Sequence, residues 1–203
     1  MQVLKVASKK KILEVAKVEF LRHGFQRTSM RLIAAKSNIG LSNIYNYFEG
    51  KNEIFRALVA SLLAEFDKIK AAHNNDETLT TEVYFSKDYH AASVKMWLVL
   101  YKNYKEQLFL LFHKSEGSIL ANFKQCTVDD VTEISMEYFK EMKARYPDLN
   151  VNISDFFVRI SIDWWLSALE KLVTQEFSEE EVERFMEEYT EYSTAGWRAL
   201  MKV

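Results

Sequence analysis

Five glycines and one proline are all the backbone punctuation that 203 residues carry. Those two residue types supply most tight turns, so a fold of many short strands lacks the material it needs, and long helices with few breaks are the economical solution. The expected fold class is all-α. Hydrophobic residues make up 48% of the chain and charged residues 28%, enough apolar surface for a core and far from a disordered composition. The longest strongly apolar run, Leu108 to Phe112, is far shorter than the ~20 residues of a bilayer-spanning helix. No charged-then-apolar leader opens the sequence, so a cytoplasmic chain without a membrane partner is expected. The lone Cys126 has no second thiol for a disulfide or a thiolate metal site and is expected to be a small core residue.

Charge is divided unevenly. Residues 1–52 hold 10 Lys and Arg against 3 Glu, a net +7, whereas the remainder holds 17 against 26, a net −9. A basic segment on an acidic carrier suits a polyanion-binding head, because nucleic acid attracts the first part and repels the second.

Helical periodicity runs along nearly the whole chain. Ser8 is a candidate N-cap ahead of Ile12, Val15, Ala16 and Phe20, and Gly24 offers a left-handed stop. Thr28 and Ser29 are candidate caps of a short second helix ending before Asn38-Ile39-Gly40, and Leu41 to Phe48 makes about two turns of a third. A long fourth helix follows from Lys51, with Ile54, Leu58, Leu62 and Phe66 on one face. The period lapses from Ala71 to Thr81, where a loop or frayed joint is expected. Ala91 to Tyr104 and Glu106 to Lys114 read as two helices, followed by a segment from Gly117 that Pro147 ends. The last two helices are Ser154 to Thr174 and Ser178 to Leu200, the latter announced by a capping box of Ser178 and Glu181.

Two short helices joined by a tight turn on a basic segment have the form of a helix-turn-helix, which lays its second helix in a DNA major groove. Gly24-Phe25, then Thr28-Ser29-Met30-Arg31-Leu32-Ile33-Ala34, then Ile44-Tyr45-Asn46-Tyr47-Phe48-Glu49-Gly50-Lys51 resemble the DNA-binding head of the TetR family of bacterial transcription regulators. The resemblance spans roughly residues 8 to 66. It implies a three-helix helix-turn-helix head over residues 1–52 and a helical effector-binding and dimerisation body over 53–203. Asn38, Gly40 and Ser42 depart from the family pattern around the turn.

Thr28 and Ser29, at a helix N-terminus, are candidates to grip a phosphate. Arg31 is a candidate for a guanine edge or a phosphate. Resemblance places Ser42, Asn43 and Asn46 toward the bases, with Asn46 suited to adenine. It places Tyr45, Tyr47 and Lys51 on the DNA backbone, where contacts position without specifying. Phe20, Ile33, Ile44 and Phe48 have the spacing of the head core. Lys9, Lys10 and Lys11 crowd a helix start, where DNA phosphates would relieve their repulsion.

In the body, Phe156, Ile160, Trp164 and Leu172 cover one side of a helix while Phe157, Trp165 and Leu169 cover another, wider than one core stripe. A second partner surface follows. The final helix, with Phe185, Tyr189 and Trp197, completes a four-helix interface between two copies. Such a two-fold dimer presents recognition helices about 34 to 36 Å apart to a near-palindromic double-stranded operator. The resemblance also implies an unidentified small-molecule effector, with candidate pocket residues Trp97, Tyr101, Phe112, His113 and Tyr138. It would loosen the DNA complex by respacing the heads. Asp163 suits a cationic ligand or a salt bridge equally.

Two other functions compete with ligand-responsive repression. One is a DNA-binding dimer that senses no small molecule. The other is an all-α enzyme, but histidines 23, 73, 90 and 113 lack metal-ligand spacing, no His-Glu-x-x-His or glycine-rich phosphate loop occurs, and His113 with Glu116, a candidate acid-base pair at helical spacing, is of a kind frequent on ordinary surfaces. No catalytic residue, metal or cofactor is expected.

Overall fold

The computed structural model of the chain describes residues 2–73 and 78–203. Among them are eight α-helices: α1 Gln2–Arg27, α2 Met30–Ser37, α3 Leu41–Ile44, α4 Lys51–His73, α5 Lys87–His113, α6 Phe123–Arg145, α7 Asp155–Thr174 and α8 Glu179–Met201. A 3-10 helix, Thr81–Tyr84, precedes α5. The fold is all-α, as the scarcity of glycine and proline requires.

Caps explain most helix boundaries. Ser29, Ser154 and Ser178 sit in extended backbone, and each side-chain oxygen accepts an N–H of the first turn of α2, α7 or α8. Glu181 returns a bond to the Ser178 N–H, completing the box. Gly24 breaks α1 at φ 75°, ψ 167°, a region open essentially to glycine alone.

Three helices differ from the sequence expectation. α1 begins ahead of Ser8, which lies inside it, because serine is tolerated in a helix and no glycine or proline precedes it. α5 is one helix rather than two, since Lys105 interrupts the apolar pattern without opposing helix formation. α3 holds only Leu41–Ile44; the Asn46 and Tyr47 amides then bond three residues back, at 3.1 and 2.9 Å, so the segment tightens instead of completing two turns. The joint expected at 71–81 falls partly on residues 74–77, outside the described residues.

By compactness the chain forms two units, residues 1–64 with 106–123, and residues 65–105 with 124–203. The sequence boundary at 52/53 falls just inside the start of α4, whereas the unit boundary falls at 64/65. The reason is that Ile54, Phe55, Val59 and Leu62, on the first half of α4, are buried. In the first unit Phe20, Phe25 and Phe55 form a ring trio with centroids 5.3 to 5.8 Å apart. The end of α5 and the chain after it belong here too: Phe25 N–H donates to the Lys114 carbonyl at 2.8 Å, and Ile119 N–H to Asn52 Oδ1 at 3.0 Å.

In the second unit, Tyr138, Phe139 and Met142 of α6 pack with Leu79, Leu149, Val158 and Met201. A separate aromatic run joins Phe66, Trp165, Trp97 and Tyr189, with successive centroids 5.1 to 6.0 Å apart. Cys126 is exposed, not a core residue; α6 turns it outward while its neighbours Thr127 and Val128 face in. Asp163 lies 3.5 Å from Lys124, which also reaches Glu170 at 3.1 Å, so its cation is internal. No helix among the described residues is long and apolar enough to cross a membrane.

Candidate nucleic-acid interface

α2 ends at Asn38, which takes the left-handed conformation, φ 53°, ψ 39°, and returns its N–H to the carbonyls of Ala34 and Ala35. Asparagine tolerates this region because its short side chain bonds locally. Gly40 sits at φ −54° with nothing near a notional Cβ, so the turn is set by Asn38 and not by the glycine. Three residues, Asn38 to Gly40, thus separate α2 from α3, the spacing of a helix-turn-helix.

Burial divides this element into two sides. Ile33, Ala34, Ile44 and Phe48 are sealed in the head core. Ser29, Arg31, Ser42, Asn43, Tyr45 and Asn46 are exposed, and Tyr47 is half-buried. The Asn46 amide donates to Asn43 Oδ1 at 3.3 Å, which leaves the Asn43 amide donor and the Asn46 carbonyl acceptor outward. Exposed Lys10, Lys11, Arg22, Arg27 and Lys36 make the head surface basic, and Lys9 lies 5.3 Å over the Phe48 ring.

Two of the residues expected on phosphate make internal bonds. Thr28 is 1% exposed, and its hydroxyl donates to the Gly24 carbonyl at 2.8 Å and the Glu19 carbonyl at 3.3 Å. It fastens the α1–α2 corner. Lys51 is half-buried, with Nζ donating to the carbonyls of Phe25 at 2.7 Å and Thr28 at 2.8 Å and lying 4.1 Å over the Phe25 ring. Burial lowers its ammonium from the ordinary lysine value. Sequence reading also missed Glu19, buried at 2% exposure with Lys36 Nζ 2.6 Å away. Its signal was available: a carboxylate interrupts the apolar stripe Ile12, Ala16, Phe20.

Residues 12–58 match the sequence profile of the bacterial regulatory proteins of the tetR family. Over those residues the head is similar to the DNA-binding head of the TetR family. The HTH-type transcriptional regulator YhgD of Bacillus subtilis (strain 168), itself uncharacterized, is 35% identical over 89 residues. That match spans 44% of this chain and 44% of the relative's length. Among solved structures, a TetR-like transcriptional regulator from Rhodococcus sp. RHA1 superposes with a TM-score of 0.61 at 16% identity, over 93% of this chain and 96% of that one. NalD, the secondary repressor of the MexAB-OprM multidrug efflux pump in Pseudomonas aeruginosa, gives 0.61 at 14%, over 92% and 95%. At such identities the likeness is one of fold, a helix-turn-helix head with a helical C-terminal part.

The five candidate effector residues fall in three settings. Trp97 packs on Trp165 and Tyr189, and Tyr101 donates to the Phe177 carbonyl at 3.1 Å. Tyr138, in the Leu79–Met142 cluster, donates to the Thr78 carbonyl at 3.1 Å, and burial raises its phenol from the ordinary value. Phe112 pairs with Phe123, and His113 lies exposed beside Phe109; both belong to the first unit. A groove of about 580 Å³ in the second unit is lined by other residues, among them Trp164, Leu172, Phe177, Arg184 and Phe185. No cluster of potential metal ligands occurs among the described residues.

Proposed function

We propose that this protein is a transcriptional repressor of the TetR family that binds a near-palindromic operator in double-stranded DNA as a homodimer. The observation that carries the reading is the two-sided α2–turn–α3 element, with Ser29, Arg31, Ser42, Asn43, Tyr45 and Asn46 outward and an apolar core behind them. In a major groove, the outward donor of Asn43 and acceptor of Asn46 match N7 and N6 of adenine, while Arg31 suits guanine or phosphate. Ser29, Tyr45 and Tyr47 hold the backbone. Thr28 and Lys51 serve from within, by bracing the element. Homodimerisation is supported by the α7 stripe of Phe156, Ile160 and Trp164, spaced by four and 68%, 52% and 46% exposed, since contiguous apolar surface marks an interface.

The test is equilibrium binding to labelled DNA from upstream of the gene, at two salt concentrations and against scrambled competitor. Competitor-resistant binding that weakens steeply with salt supports the reading. Binding that scrambled DNA removes equally well, at low salt and for every upstream fragment, refutes it.

A second reading, a DNA-binding dimer without a small-molecule effector, is supported by Trp97, Tyr101 and Tyr138 being buried and engaged, because a filled core leaves a ligand no room. Under the sensing reading the α7–α8 groove is the better effector site. Operator release by a compound that protects the groove from exchange would favour sensing.

A further inference from the structure

Glu19 bonds to the chain just before α2 and to the last turn of α2. Its backbone carbonyl accepts the Thr28 hydroxyl just before the helix, and its carboxylate Oε1 accepts from Lys36 Nζ at 2.6 Å in the last turn. The left-handed Asn38 that launches α3 lies two residues beyond Lys36. The second oxygen, Oε2, is buried with no hydrogen-bond donor among the described residues; the His23 ring nitrogen Nε2 lies 3.7 Å from it. Among the described residues, Lys36 is the only lysine or arginine paired with this carboxylate, which is 2% exposed.

Such a pair is a poor device for stability. Two charges lose their hydration, and apolar side chains of similar size often serve the fold equally well or better. It differs from apolar packing in direction. Hydrophobic contacts are non-directional and survive small slips, whereas a charge-assisted hydrogen bond holds only over a narrow range of distance and angle. Any seating of α2 that separates Lys36 from Glu19 strands a buried carboxylate, which disfavours the alternatives.

We infer that Glu19 and Lys36 are a positioning pair, which sets the register of α2 on α1 and so decides which bases the Arg31 and Ser42–Asn46 row can reach. The inference rests on the DNA-binding reading. It assigns Glu19, a buried residue, a share in operator discrimination.

The parent protein first selects a duplex from a random-sequence pool. Affinity for that duplex and for a scrambled one is then measured at two salt concentrations for the parent, for Glu19→Leu with Lys36→Met, and for Lys36→Arg, with thermal unfolding in parallel. The double variant is expected to unfold at or above the parent's temperature while its preference for the selected duplex falls about tenfold or more, a large part of a typical specificity ratio. Its salt dependence stays unchanged, and Lys36→Arg keeps the preference.

Undiminished preference in the double variant overturns the inference. So does a salt slope reduced by about one with preference intact, which makes the 43%-exposed Lys36 a phosphate ligand. If the double variant does not fold, Glu19→Met, which keeps the side-chain length but offers Lys36 no acceptor, decides by itself: preference equal to the parent's refutes positioning. A parent that selects no sequence sinks the DNA reading and this inference with it, whereas loss of the inference alone leaves the parent's selectivity standing.

Discussion

Replacing Lys51 by methionine should destabilise the head before it affects any DNA contact. The ammonium donates to the carbonyls of Phe25 and Thr28 at 2.7 and 2.8 Å and lies 4.1 Å over the Phe25 ring. Hydrogen bonds to a charged group contribute about 1.5–3 kcal/mol each, and a cation over an aromatic face adds about 0.5–1 kcal/mol. Lys51 is half-buried, so water replaces part of what is lost, and the balance is about 2–4 kcal/mol. For a chain of this size that corresponds to roughly 5–15 °C in Tm. Urea unfolding followed by far-ultraviolet circular dichroism measures the loss. Fluorescence is the internal reference, because Trp97, Trp164, Trp165 and Trp197 all lie in the second unit. A variant within about 0.5 kcal/mol of the parent, whose DNA affinity nevertheless falls with a salt slope smaller by about one, would refute the bracing role.

Gly24→Ala should cost about 1–3 kcal/mol, because φ 75°, ψ 167° lies in a region other residues avoid. The nearest atom to the added Cβ is the Lys114 carbonyl oxygen at 3.9 Å, so crowding is not the cause; unchanged urea unfolding would contradict the argument. Ile160→Glu puts a charge in the exposed α7 stripe and should turn a dimer into a monomer in sedimentation velocity, and an unchanged sedimenting species would discount that stripe. Ser178→Ala removes the α8 cap at a cost of about 1 kcal/mol. The Ser178 N–H holds the Glu181 carboxyl below the ordinary glutamate value, so its contribution is present above that value and disappears as pH falls through the lowered one. Glu181→Gln should flatten that part of the acid limb in a pH series of thermal melts.

What could be read in advance followed from short-range physics. A serine oxygen finds the amide three residues on wherever the chain enters a helix, so Ser29, Ser154 and Ser178 announce α2, α7 and α8. Gly24 similarly marks the break in α1. The outward row Ser29, Arg31, Ser42, Asn43, Tyr45 and Asn46 was legible because the inward partners Ile33, Ile44 and Phe48 have helical spacing. Long-range burial was not legible in the same way. The effector candidates are aromatic and polar residues of one stretch of sequence, but Tyr138 joins Leu79 and Met201 while Phe112 joins Phe123.

The sequence by itself determined an all-α chain with a basic helix-turn-helix head, since helix propensity, caps and charge act within a few residues or by simple count. Only the tertiary structure decided that Thr28 and Lys51 turn inward to bind carbonyls, that Cys126 faces out, and that a carboxylate at Glu19 is sealed against Lys36. Desolvation depends on which distant residues close over a group, and that is a property of the packed chain rather than of any window of its sequence.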